Sequence, residues 1–233
     1  MTRQSHTMTT RQLSKKKSAI HLVNFIKGLG KINSAMDIGC GTGFVAIELL
    51  KNFPNLKLHL CDISQKMLTM AKHKLQDHKV IYTHCDAEIQ EFTTTCDLAI
   101  SNLCVQWFND FEKFTKKILK TSKYFAFSTL VDGSFLEFSK IFESQGKASP
   151  FPKYRTEKEL VHFCQSMGKM INMETKIFNL AFPSAKDAAM HFKKIGANFG
   201  KSSFDNALVL LSHRVPINLE YKIFFGLMER KIN

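Results

Sequence analysis

Apolar residues along this chain fall into short runs separated by stretches with helical spacing. The runs at 35–38, 57–61, 80–84, 97–101 and 124–130 predict strands. Between them, residues 43–52, 64–76, 110–120 and 134–145 predict amphipathic helices. Ser64 is placed to cap its helix, because a hydroxyl there can satisfy an orphan N–H. Strictly alternating strands and helices imply a doubly wound parallel sheet. After Pro150 the rhythm changes: a helix over 156–167, a strand over 170–181, a helical stretch from Pro183 to about 214, and a last strand over 217–230. The insert at 184–215 would then lie over the sheet's carboxyl edge, where open α/β sheets bind ligands. It is the candidate substrate lid, with a purely structural helical pair as the alternative.

Length and composition narrow the class. A chain of 233 residues, 44% hydrophobic and 23% charged, suits a single globular domain over 1–233. No apolar run is long enough to span a bilayer, so no membrane association and a cytoplasmic location are expected. The six cysteines (Cys40, Cys61, Cys85, Cys96, Cys104 and Cys164) form no C-x-x-C pair, and the histidines show no metal-binding spacing. Reduced, buried thiols and no metal are expected.

The formal net charge of +13 is unevenly placed. Residues 1–36 hold Arg3, Arg11, Lys15, Lys16, Lys17, Lys27 and Lys31 and no acid. A basic tail over 1–18 leading into an ordinary first helix is the preferred reading. An organelle-targeting segment or a docking surface for an anionic partner is the alternative.

The sharpest local signal is Met36-Asp37-Ile38-Gly39-Cys40-Gly41-Thr42-Gly43-Phe44, a strand entering a glycine turn that opens a helix. Glycines permit a tight turn and let a ligand lie against bare backbone. In a nicotinamide fingerprint the third glycine would come one residue later, with a diphosphate at the helix N-terminus. Here a carboxylate, Asp37, stands two residues before the first glycine. It would repel a diphosphate but suits the ammonium of a methionine moiety. At the end of the second strand, Asp62, followed by Ile63, is placed to accept both ribose hydroxyls. After the third strand Asp86, followed by Ala87, is placed to receive an adenine amino group. A glycine loop with acids at three successive strand ends points to S-adenosyl-L-methionine, with S-adenosyl-L-homocysteine as product.

The fourth strand runs into Ser101-Asn102-Leu103-Cys104-Val105-Gln106-Trp107-Phe108-Asn109-Asp110. No proline is present, which argues against the amine-methylating Asn/Asp-Pro-Pro-aromatic type. Trp107, the sole tryptophan, is read either as a pocket wall or as core packing.

This run resembles the biotin-pathway malonyl-acyl-carrier-protein O-methyltransferase family. The resemblance continues in Phe127-Ser128-Thr129-Leu130-Val131-Asp132-Gly133-Ser134, His191-Phe192-Lys193-Lys194-Ile195-Gly196-Ala197-Asn198 and Leu219-Glu220-Tyr221-Lys222-Ile223-Phe224-Phe225-Gly226, covering about residues 35–230. It implies a Rossmann-like class I fold, a seven-stranded mostly parallel sheet with an antiparallel last strand and a helical insert before it. It further implies methylation of the free carboxylate of a malonyl thioester on an acidic acyl-carrier protein. Asp37, Gly39, Cys40, Gly41 and Gly43 would hold the methionine part, Asp62 and Ile63 the ribose side, Asp86 and Ala87 the adenine, and Asn102 the segment beside the methyl. Residues 1–18 lack the family's aromatic Ala-x-x-Tyr-like segment, so closure at the N-terminus has no assigned residue.

A carboxylate is already ionised at neutral pH, so no general base is needed and no catalytic acid or base is nominated. Gln106, Trp107, Arg155, Lys193, Lys194 and Arg214 are the candidates for gripping the acceptor, the basic ones by charge and region only. Other acceptors (a quinone precursor, another carboxylic acid, RNA) share the cofactor motifs, though the Gln106-Trp107 segment and the insert favour the malonyl thioester over other small acids, and nucleic acid is not the expected partner. A non-catalytic assembly protein would not need the loop and its acids.

Overall fold

Why the central strands form is plain from their burial. Ala35–Ile38 and Leu98–Ile100 are almost wholly buried and apolar at every position but Asp37, as strands covered on both faces require. The computed structural model describes residues 13–194 and 215–231. Its strands are β1 (Ser34–Ile38), β2 (Lys57–Asp62), β3 (Val80–His84), β4 (Cys96–Asn102), β5 (Ser122–Leu130), β6 (Lys169–Phe182) and β7 (Ile217–Glu229). They form one seven-stranded sheet in the order β3-β2-β1-β4-β5-β7-β6. Pairings from β3 through β5 are parallel, with Asp37 opposite Leu60 on one side and Ile100 on the other. β7 runs the other way. Val131 N–H donates to the Lys222 carbonyl and Arg230 N–H to the Lys123 carbonyl, so numbers rise along β5 as they fall along β7.

The helices are α1 (Leu13–Phe25), α2 (Phe44–Asn52), α3 (Gln65–Lys74), α4 (Phe111–Thr121), α5 (Leu136–Glu143), α6 (Glu157–Met167) and α7 (Ala185–Lys194). Local chemistry sets their starts. Ser64 accepts the Met67 N–H at 3.4 Å, Asp110 accepts that of Lys113 at 2.8 Å, and Thr156 with Glu159 closes a reciprocal capping box before α6. On α4 the buried residues Phe111, Phe114, Thr115, Ile118 and Leu119 repeat at helical spacing.

Two expectations shift. Of the tail expected over 1–18, residues 13–18 belong to α1, which begins at Leu13, and 1–12 lie outside the described residues. Ser18 is fully buried with its hydroxyl on the Lys15 carbonyl, which a solvated tail would not permit. The helix expected from 134 begins at Leu136. Gly133 and Phe135 both take left-handed backbone (φ 87° and 61°), and Phe135 N–H first bonds the Glu220 carbonyl, so the chain turns before it coils. Of the 184–215 insert, α7 is described, and 195–214 lie outside the described residues.

The residues group into two compact units. One comprises Lys15–Thr129, Thr156–Thr175 and the end of β7 from Phe224. Its core includes Phe111 stacked on Phe163 at 4.6 Å and Phe125 on Phe127 at 5.4 Å. The other includes Leu130–Arg155 and the described part of Lys176–Ile223. There Phe135 meets Tyr221 edge-on at 4.6 Å and Phe192 at 5.0 Å, and the buried His191 Nε2 lies 2.6 Å from the Tyr221 hydroxyl.

Candidate functional site

The carboxyl ends of β1, β2, β3 and β4 lie side by side in register, within the first unit. Gly39, Gly41 and Gly43 follow β1 and all take positive φ, at 65°, 53° and 81°. A Cβ on Gly39 would lie 2.2 Å from the Cys104 sulfur, so only glycine fits there. A Cβ on Gly41 would meet nothing within 4 Å. The loop is tied down from beneath, with Gly39 and Cys40 N–H both donating to the Cys61 carbonyl at 2.9 and 3.0 Å.

Asp37 is 1% exposed, and neither of its carboxylate oxygens has a hydrogen-bond partner. Burial, and then the charge of Asp62, push its pKa up to about 8, and the Ala46 backbone amide offsets only part of this. Ionising so deeply buried an acid is costly, and a cationic group would offset that cost. This orphaned acid at the glycine loop is the feature that matches a methionine ammonium.

Asp62 Oδ2 accepts the Gly41 N–H at 2.8 Å and Oδ1 accepts that of Ser64 at 2.8 Å. Each oxygen keeps a further lone pair for a hydroxyl donor. Ile63 beside it is 68% exposed, an apolar side chain in the open at the sheet's edge. The Asp62 carbonyl accepts the Cys85 N–H at 3.2 Å, which fixes the start of the next loop. There Asp86 Oδ1 accepts the Glu88 N–H at 2.9 Å and Ala87 is buried.

Two residues not singled out for these roles shape the site. Lys117 on α4 donates to the carbonyls of Ala87, Glu88 and Gln90 at 2.9, 2.8 and 2.7 Å, clamping the loop that carries Asp86. Glu88 reinforces it by accepting the Asp110 N–H at 2.8 Å. In the sequence Lys15 is one more charge of the basic start. Its carbonyl accepts from Asn102 Nδ2 at 3.4 Å, which brings α1 to the end of β4. Neither lysine has a signal in its local sequence, since each is defined by groups many residues away.

On the acceptor side, the Asn102 amide is already committed, taking the Ser128 hydroxyl at 2.7 Å on its oxygen. Leu103 is held in left-handed backbone at φ 51° by the Ser128 carbonyl and hydroxyl, a strained residue of the kind found where ligands are bound. Gln106 donates to the Leu103 carbonyl at 2.9 Å. Trp107, in a 3-10 turn, is 52% exposed and so is not a core residue. Arg155 and Lys193 are exposed and belong to the other unit, while Arg214 lies outside the described residues and nothing is described of the Lys194 side chain. Among the described residues no His, Cys, Asp or Glu cluster could hold a metal ion, and no helix is long and apolar enough to cross a membrane.

Comparison with known proteins agrees with this geometry. Residues 35–123 match the model of a methyltransferase domain. The chain is 28% identical over 201 residues to the malonyl-acyl-carrier-protein O-methyltransferase of Neorickettsia risticii, covering 84% of this chain and 80% of that one. It is 28% identical over 209 residues to the Buchnera aphidicola enzyme of the same name, covering 84% and 82%. Among solved structures, YcgJ of Bacillus subtilis aligns at a TM-score of 0.63 and 14% identity over 91% of this chain and 99% of that one. The N-methyltransferase NodS of Bradyrhizobium japonicum, solved with S-adenosyl-L-homocysteine, aligns at 0.55 and 9% over 93% and 87%. At such identities the structural likeness is one of fold. The domain match, the relatives and the fold agree with a class I S-adenosylmethionine-dependent methyltransferase.

Proposed function

We propose that this enzyme methylates the free carboxylate of a malonyl group carried on an acidic acyl-carrier protein in the cytoplasm, masking that carboxylate for the pimelate part of biotin synthesis. Likeness to malonyl-acyl-carrier-protein O-methyltransferases across 84% of the chain supports the acceptor. The single observation carrying the cofactor assignment is the orphaned, buried carboxylate of Asp37 against the glycine loop.

Bound S-adenosyl-L-methionine supplies an electrophilic methyl on a sulfonium. Asp37 accepts the methionine ammonium, and the bare backbone of Gly39, Cys40, Gly41 and Gly43 lets that end lie close. Asp62 accepts the ribose hydroxyls with Ile63 covering the nucleoside, while Asp86 and Ala87 receive the adenine. Asn102 acts through the edge it braces, since its amide is bonded to Ser128 and Lys15. Gln106 and Trp107 border the acceptor, and the exposed Arg155 and Lys193 are the described cations proposed for its charge. The malonyl carboxylate is already ionised at neutral pH, so the protein has no proton to remove. Its contribution is to orient the acceptor and exclude water, which can be worth roughly 7–11 kcal/mol. The net charge of +13 suits an acidic carrier, whose docking would weaken with salt.

Transfer of labelled methyl from S-adenosylmethionine to malonyl-carrier protein, with acetyl-carrier protein as control, tests the proposal. Methyl ester on the malonyl form alone is expected. Absence of transfer, in protein that still binds cofactor, would reject this acceptor.

A further inference from the structure

Lys74 has no part in the cofactor contacts assigned so far, yet its ammonium reaches the glycine loop. Its Nζ donates to the Thr42 carbonyl at 3.0 Å and lies 4.5 Å from the centre of the Phe44 ring. The bond crosses 32 residues of sequence, from the last turn of α3 to the turn that follows β1. The N–H of the same peptide unit, that of Gly43, donates to the Cys40 carbonyl at 3.0 Å. The Thr42–Gly43 peptide is therefore held at both ends, its N–H by the turn and its C=O by Lys74. A glycine on either side of Thr42 lets this stretch adopt many backbone shapes, so fixing one carbonyl removes conformations that the sequence itself permits.

α3 as a whole joins the two ends of the candidate site. At its start the Ser64 N–H donates to Asp62 Oδ1 at 2.8 Å. Its last turn packs against Gly43, where a Cβ would lie 3.4 Å from that of Ala71 and 3.5 Å from Leu75 Cδ1. Residues 71, 74 and 75 share one side of a helical turn, so Lys74 extends this packing to the next carbonyl of the loop. Asp62 closes the link by accepting the Gly41 N–H through Oδ2 at 2.8 Å. The helix is thus a strut between the acid assigned to the ribose and the loop assigned to the methionine. Lys117 stands in the same relation to the loop that carries Asp86.

We propose that Lys74 is a positioning residue for the methionine end of the cofactor. It acts through the Thr42 carbonyl, holding the glycine loop in the shape that receives this end, and makes no contact with the ligand itself. This role rests on the assignment of the glycine loop to S-adenosylmethionine given above.

The test is calorimetric titration of two ligands into the wild-type chain and the Lys74→Met, Lys74→Arg and Lys72→Met variants. One ligand is S-adenosylhomocysteine; the other is methylthioadenosine, which keeps the nucleoside and lacks the amino-acid end. Lys72 stands in the same helical turn but lies over the Tyr82 ring, at 5.2 Å, and so controls for lost charge. Lys74→Met should weaken S-adenosylhomocysteine about fivefold or more, the net worth of a hydrogen bond, and leave methylthioadenosine within about twofold. Lys74→Arg should recover much of the loss, and Lys72→Met should leave both ligands within about twofold of wild type. Equal weakening of the two ligands by Lys74→Met would show that Lys74 merely supports α3, and would overturn the proposal. So would unchanged affinity for S-adenosylhomocysteine, or a matching loss in Lys72→Met. Failure of the wild-type chain to bind S-adenosylhomocysteine would instead overturn the cofactor reading itself.

Discussion

The Lys117 ammonium donates to the Ala87 carbonyl at 2.9 Å and, from the same nitrogen, to those of Glu88 and Gln90. One side chain of α4 thereby fixes the loop in which Asp86 sits. Lys117→Met should cost about 1–3 kcal/mol in thermal or denaturant unfolding, since three carbonyls lose a charged donor. It should raise the KM for S-adenosylmethionine several-fold while kcat at saturating cofactor changes little. A fall in kcat with KM unchanged would mean that the clamp serves the chemistry rather than the adenine end.

Gly39 and Gly41 share positive φ but differ in their surroundings, and the two alanine variants should separate accordingly. Gly39→Ala drives a Cβ into Cys104 and should destabilise the folded protein by more than the ~1–2 kcal/mol that left-handed backbone alone costs. Gly41→Ala bears only that backbone cost, because its Cβ meets open space. It should fold, yet bind S-adenosylhomocysteine poorly. Equal unfolding midpoints for the two variants would contradict this account.

Asp37 makes stability and binding respond to pH in opposite directions. Its pKa is raised from 3.8 to about 8 in the folded chain. The ligand-free fold therefore holds a proton between those values that the unfolded chain lacks. The stabilisation is complete below about pH 4 and is lost as pH rises through about 8. Asp37→Asn should flatten that dependence. A cationic ligand favours the ionised form, so cofactor binding near neutral pH should release a proton and tighten towards pH 8. Calorimetry in two buffers of different ionisation enthalpy measures the release, which Asp37→Asn should abolish.

Cys85 should be the reactive thiol. Interaction with the Cys61 thiol lowers its pKa to about 7, whereas burial lifts Cys96 to about 11 and Cys104 and Cys164 to about 12. Iodoacetamide at near-neutral pH should therefore modify Cys85 first, as read by peptide mass mapping. Saturating S-adenosylhomocysteine should slow the reaction if Asp86, the next residue, holds the adenine. Preferential labelling of Cys40 or Cys96 would refute the ordering.

Much of the fold could be read from residue pattern because its signals are local. Strand ends were marked by Asp37, Asp62 and Asp86, and the starts of α3 and α6 by Ser64 and Thr156. The structure brings all three acids to one edge. What escaped was long-range. Lys117 looks like any helix lysine until the carbonyls it faces are folded into place. The start of α5 escaped for a similar reason, since Phe135 answers to Glu220 on a strand 85 residues later. Trp107 is ambiguous in sequence because a tryptophan suits core and pocket wall equally, and its exposure of 52% excludes the core.

The position of β7 between β5 and β6 has a consequence for how the chain is made. On the ribosome β5 and β6 emerge first, and their common neighbour comes last. Until residues 217–229 appear, β5 is an open edge and the 14-residue β6 has no sheet neighbour to pair with. A chain stopped by a premature stop codon between Phe182 and Ile217 would carry the glycine loop and all three acids and still expose two sticky strands. Such a product should be cleared or aggregate rather than persist as a partially active enzyme.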